Sequence, residues 1–281
     1  MLRSPQATEE SRRPAPSIKV LRSPQHDRRA CRKTLNTYFV AATASYRLAP
    51  KHRYPAAMQD AFAAVRFLRW NAGRYGGDPD RLAALGMSAG ATLAMMVAYC
   101  DRPDEVFGDC GDPGVSTKLG AVVNLYGPRD LSYGFEKARW WIKPLLRQFM
   151  GCGEEEDAER WRQASPFDHI REGAPPTVTV HGVRDTVVGF EQAKLLDRRL
   201  REVGTPHVLV PIEAGHAWGY SFGGRDSYAL LPVVTTFLVR TLEHGSAIPT
   251  EHDVGSAVRT IRNATAADAA DAKWSAQRTL R

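Results

Sequence analysis

The feature that most restricts how this chain can fold is a five-residue turn, Gly86-Met87-Ser88-Ala89-Gly90, set between two apolar runs. Ahead of it, Leu82–Leu85 has the length and character of a buried strand. Behind it, an apolar run continues to about Cys100 and has the length of a helix. A chain that passes from strand to helix in so few residues turns sharply. Glycines on either side of Ser88 give that turn backbone freedom and clearance for close packing. The turn also puts Ser88 at a helix N-terminus, where unpaired N–H groups and the dipole favour developing negative charge.

The rest of the chain repeats the alternation. Tyr38–Tyr46 predicts a buried strand, and Met58, Phe62, Val65 and Leu68 predict one face of a helix, broken at Gly76-Gly77-Asp78-Pro79-Asp80. Leu119–Leu125 predicts a strand ending in Tyr126-Gly127-Pro128-Arg129-Asp130. Residues 131–172 form a longer excursion, helical and irregular, with Trp140, Trp141 and Trp161 as a cap, pocket wall or core. Then come a strand at Thr177–Val180, a helix marked by Ala193, Leu196, Leu200 and Val203, and a strand at Val208–Ile212. A last helix is marked by Leu230, Val234, Phe237 and Leu238. Strands alternating with helices predict an α/β protein with a mainly parallel sheet flanked by helices, whose ligand site lies beyond the C-terminal ends of the strands.

Both ends differ from this middle. Residues 1–36 are rich in Arg, Pro and Ser, repeat Leu-Arg-Ser-Pro-Gln at 2–6 and 21–25, and read as a basic, mostly disordered leader. Only Ile18–Leu21 hints at a strand there. Residues 244–281 read as a polar, Ala-rich tail, leaving 37–243 as the folded domain. The formal charge of +7 belongs to the leader. Nine of the 38 basic and three of the 31 acidic residues fall in 1–35, leaving 29 and 28 for the rest. A nearly neutral domain gives no nucleic-acid partner. No run reaches the roughly 18 apolar residues of a membrane span, and no apolar segment of a secretory signal follows the N-terminus, so the default expectation is a cytoplasmic protein. Cys31, Cys100, Cys110 and Cys152 have no zinc spacing, and no metal or cofactor is expected; Cys100 and Cys110 would pair only in an exported protein. The oligomeric state is not legible.

Ser88 as a nucleophile needs a base, and the base needs an orienting acid. Two segments directly follow strands and so share the end of the sheet where Ser88 lies: His181-Gly182-Val183-Arg184-Asp185 and Glu213-Ala214-Gly215-His216. In strand–turn–helix sites of this kind the chain order is Ser, acid, His. That order selects Asp185 as acid and His216 as base. His181 precedes the acid and is expected to make a structural hydrogen bond. Glu213 is too near His216 in sequence to orient it. Asp130 is expected to cap a helix or shape a loop. The Ala89 N–H is the one oxyanion donor the turn itself supplies.

Taken together, Tyr46-Arg47-Leu48-Ala49-Pro50, Tyr54-Pro55-Ala56-Ala57 with Asp60, Gly77-Asp78-Pro79-Asp80-Arg81 and Gly-Met-Ser-Ala-Gly resemble the hormone-sensitive-lipase-like carboxylesterases of the α/β-hydrolase superfamily. Tyr126–Leu131, Ala164-Ser165-Pro166, Pro175-Pro176 through Asp185, and Gly215-His216 most resemble the feruloyl/acetylxylan-esterase-like (BD-FAE-like) branch. The resemblance spans about residues 37–243. It implies an α/β-hydrolase fold, Ser88, Asp185 and His216 as the triad, and hydrolysis of small carboxylic esters through an acyl-enzyme without metal or cofactor. Such proteins carry a His-Gly-Gly-Gly-type loop that supplies the second oxyanion donor. This sequence has no such motif, and residues 1–36 hold no glycine. The expected fold therefore lacks the first family strands, and the sharp change near Thr34–Thr37 suggests a start displaced from the native one. The alternatives are a truncated, weakly active or non-catalytic binding protein, and a serine peptidase of the prolyl-oligopeptidase type.

Overall fold

The computed structural model describes residues 18–21, 39–216 and 225–243. The rest of the expected leader 1–36, Cys31 included, and the expected tail 244–281 lie outside these residues. The ordered elements are β1 (Ile18–Leu21), β2 (Ala41–Ala44), α1 (Ala56–Asn71), β3 (Ala83–Met87), α2 (Ala89–Tyr99), α3 (Pro103–Phe107), β4 (Ala121–Leu125), α4 (Leu131–Lys137), α5 (Lys143–Met150), α6 (Ala158–Gln163), β5 (Thr177–Gly182), α7 (Glu191–Glu202), β6 (His207–Ile212) and α8 (Arg225–Glu243).

Four strands form a parallel sheet in the order β3-β4-β5-β6. Parallel neighbours require crossovers, and here each crossover carries one or more helices. The two central strands are buried along their whole length, their Val, Ala and Leu side chains interrupted by the buried polar Asn124, Thr177, Thr179 and His181. One face of the sheet sends Val123, Leu125, Val180 and Val210 against Val234 and Phe237 of α8. The other sends Val122 against Met95 and Tyr99 of α2 and Leu196 and Leu200 of α7. Beyond α2, Met58 and Phe62 of α1 pack with Leu93, Met96, Phe107 and Trp161.

The N-terminal part departs from expectation in one respect. The strand hint at Ile18–Leu21 is a strand, but it pairs antiparallel with β2 as a separate two-stranded sheet. β2 is only four residues of the predicted Tyr38–Tyr46, and three of its four are exposed. Its Ala and Thr side chains offer little apolar area, and among the described residues it does not border the main sheet, so burial has no partner surface. β3 in turn has no strand on its second edge among the described residues, and Leu85 is 51% exposed.

Arg47 clamps Asp60 of α1 through its own N–H (2.7 Å), Nε (2.9 and 3.0 Å) and Nη2 (2.8 Å). This pair ties the loop that enters α1 to that helix, and the Asp60 carboxylate is buried. The cysteines expected to pair only on export, Cys100 and Cys110, are both free and buried; burial raises their thiols to about 11 and about 12.

Removing one partner of a buried, multiply bonded ion pair leaves the other charge uncompensated. Arg47→Ala is therefore expected to cost about 3 kcal/mol in urea denaturation, whereas a loss below about 0.5 kcal/mol, typical of an exposed pair, contradicts this role.

Candidate active site

The turn at Ser88 is built on close approach. A Cβ on Gly86 would lie 2.1 Å from the Gly90 carbonyl oxygen, so only glycine lets the end of β3 pass beneath the start of α2. Gly90, against expectation, has room for a side chain: nothing among the described residues beyond the helix's own backbone lies within 4 Å of a Cβ there. Ser88 adopts φ 50° and ψ −123°, a conformation that costs a non-glycine residue energy and is tolerated where surrounding bonds enforce it. The Ser88 N–H donates to Leu125 O (2.9 Å), and Ser88 O accepts from the N–H groups of Ala91 (2.9 Å) and Thr92 (3.2 Å).

Ser88 Oγ lies 3.0 Å from His216 Nε2, and His216 Nδ1 lies 2.7 Å from Asp185 Oδ2. With Nδ1–H donated to the carboxylate, Nε2 is the acceptor for the Ser88 hydroxyl proton. The other Asp185 oxygen accepts from the N–H groups of Val187 (2.8 Å) and Val188 (2.9 Å). Burial pushes the Asp185 carboxyl up, but hydrogen bonds from His181, His216 and these two amides outweigh it and hold the carboxyl well below the usual carboxylate range.

The loops carrying Asp185 and His216 are locked together. The Val183 N–H donates to Ile212 O and the Arg184 N–H to Ala214 O, and a Cβ on Gly182 would lie 2.3 Å from Ala214 O. Glu213 is exposed and holds Arg184 through its backbone carbonyl (2.8 Å), away from His216. His181 is fully buried; its Nε2 lies 2.8 Å from Val188 O and 3.4 Å from Asp185 Oδ2. It braces the loop that carries Asp185 and makes no bond to Ser88. Asp130 is the N-cap of α4, its carboxylate accepting from the Tyr133 N–H (2.9 Å). Ala89 opens α2, and its N–H is the first without an intrahelical acceptor.

In the 131–172 excursion, Trp161 is core, whereas Trp140 and Trp141 are exposed. Sequence reasoning missed Tyr126. It is buried, adopts φ 47°, and stands edge-to-face with His216 at 5.0 Å between ring centroids. Nothing in the sequence signals its backbone conformation except that Gly127 follows it.

A parallel sheet between helices, with a serine on a strained strand-to-helix turn, defines the α/β-hydrolase fold. The BD-FAE family profile matches residues 22–200, and the chain belongs to that family. The match starts earlier and stops sooner than the 37–243 over which the motifs read. Esterase LipC of Mycobacterium tuberculosis is 32% identical over 191 residues, covering 66% of this chain and 47% of LipC. Carboxylesterase NlhH of the same species is 39% identical over 94 residues, 34% of this chain and 28% of NlhH. The chain thus spans less than half the length of these relatives. Among solved structures, the esterase Est2 of Thermogutta terrifontis is 28% identical with a TM-score of 0.58, covering 74% of this chain and 73% of that one. A carbohydrate esterase from gut microbiota, 20% identical with a TM-score of 0.63 over 72% and 74% of the two chains, shares the fold.

The depressed Asp185 carboxyl has a consequence for acid stability. A carboxyl lowered on folding contributes stability in full above its unfolded value of about 4, and loses it as the pH falls from there towards the folded value. Between pH 6 and pH 3, the urea-unfolding free energy is expected to fall further in the wild type than in Asp185→Asn. Equal losses contradict the assignment.

Proposed function

We propose that the protein is a carboxylic ester hydrolase working through a Ser-Asp-His triad, with a small-molecule ester as substrate. The observation that carries this reading is the continuous hydrogen-bonded line Ser88–His216–Asp185, at 3.0 and 2.7 Å, beginning at a strained serine. The esterase names of the relatives and neighbours support it.

In this mechanism Ser88 Oγ attacks the ester carbonyl carbon while His216 Nε2 takes the hydroxyl proton. The carbonyl oxygen becomes the oxyanion and accepts from the Ala89 N–H. Collapse breaks the bond to the alkoxy oxygen, which leaves as the alcohol with the proton from His216. Water then attacks the acyl-enzyme, giving its proton to His216, and the acid departs as Ser88 recovers its hydrogen. Asp185 fixes the His216 tautomer and stabilises the imidazolium formed in each half. The triad is complete in side chains of this chain, so the mechanism calls on no metal or cofactor.

The test is hydrolysis of p-nitrophenyl acetate by the purified chain beside Ser88→Ala, with circular dichroism on both. Turnover is expected, with kcat/KM falling at least about 10³-fold in the variant. Turnover that survives Ser88→Ala, or a folded wild type without turnover, overturns the proposal. Cleavage of p-nitroanilide peptides at rates matching the ester would make it a peptidase instead.

A further inference from the structure

Among the described residues, two other than glycine hold a left-handed backbone, Ser88 at φ 50° and Tyr126 at φ 47°. The first is the candidate nucleophile. The second takes no part in the mechanism above, and a bulky aromatic in this region is strained. Strain of this kind persists only where the surroundings over-determine it, and it gathers at working sites.

The surroundings do over-determine Tyr126. Its N–H donates to Val180 O (2.9 Å), and the next N–H, from Gly127, donates to Asn124 Oδ1 (2.9 Å). Gly127 has no room for a side chain: a Cβ there would lie 2.5 Å from Ala91 Cβ and 3.1 Å from Ser88 O. Asn124 is itself held by a polar row that crosses the sheet, buried at Asn124 and Thr179 and partly exposed at Asp197. Its Nδ2 donates to Thr179 Oγ1 (3.2 Å), Thr179 Oγ1 lies 2.8 Å from His207 Nε2, and His207 Nδ1 lies 2.7 Å from Asp197 Oδ1. The row has one consistent polarity. With His207 Nδ1–H given to Asp197, Nε2 accepts the Thr179 hydroxyl proton. The Thr179 oxygen is then left to accept from the Asn124 amide, and Oδ1 must face Gly127.

What this lock delivers is the Tyr126 ring, edge-to-face with the His216 imidazole at 5.0 Å and 75°. The imidazole has to aim Nδ1 at Asp185 and Nε2 at Ser88 together, and its side chain is 15% exposed, so hydrogen bonds alone leave its ring plane free to tilt. We propose that Tyr126, pinned by Asn124, is a positioning residue that keeps His216 aligned between Ser88 and Asp185. The proposal rests on the triad reading above.

Esterase kinetics on Tyr126→Phe, Tyr126→Leu and Asn124→Ala test it, with thermal melts to establish folding and Ser88→Ala alongside. Tyr126→Phe keeps the ring and is expected to stay within about threefold of wild type in kcat. Tyr126→Leu removes the ring and is expected to lower kcat about tenfold, as a misdirected base would, with KM within about twofold. Should Tyr126→Leu melt too low to assay, Asn124→Ala carries the same prediction, because it leaves the ring and releases the backbone. Wild-type kcat in folded Tyr126→Leu or Asn124→Ala overturns the proposal, as does a loss confined to KM or an equal loss in Tyr126→Phe. Failure of the triad reading is separately visible as activity that survives Ser88→Ala.

Discussion

The contact between Gly86 and the backbone of Gly90 is the constraint on which the rest of the structure depends. It brings the last residues of β3 directly under the first turn of α2. No relaxed strand-to-helix connection is that short, so the strain falls on Ser88, and the bonds to Leu125, Ala91 and Thr92 hold it there. The strained backbone sets Ser88 at the start of α2, with its hydroxyl 3.0 Å from His216 Nε2. Substituting either the turn or its glycine support would remove the geometry, whatever happened to the rest of the core.

The parallel sheet supplies the remaining parts. Because β3, β4, β5 and β6 run the same way, the segments after them emerge at one end. Ser88, Tyr126, Asp185 and His216 follow β3, β4, β5 and β6 in turn. The loops that carry Asp185 and His216 then bind each other through the Val183 and Arg184 amides, so the Asp185–His216 distance is set by the pairing of neighbouring strands more than by the two side chains. The chain's membership of the BD-FAE family agrees with this arrangement.

Much of this was legible in the sequence because the relevant signals are local. An apolar run entering a Gly-x-Ser-x-Gly turn, and two strand ends carrying Asp185 and His216, need only spacing and residue type to be read. The errors arose where tertiary partners decide. Tyr38–Tyr46 has the composition of a buried strand, yet only Ala41–Ala44 forms one and it is largely exposed, since burial depends on a neighbour and not on composition. Asn124, Thr179 and His207 are far apart in sequence; only the register of β4, β5 and β6 lines them into one row. The left-handed conformation of Tyr126 has no signature in residue type at all, because tyrosine does not favour it.

The central claim, that Ser88 is the nucleophile of this site, is tested most directly by treating the folded protein with paraoxon and locating the adduct by intact-mass and peptide mass spectrometry. A serine activated by His216 attacks phosphorus and expels p-nitrophenol, so a single diethylphosphoryl group on the peptide containing Ser88 is the predicted result. A folded protein that takes up no phosphoryl group, or takes it up on another residue while Ser88 stays unmodified, would contradict the account.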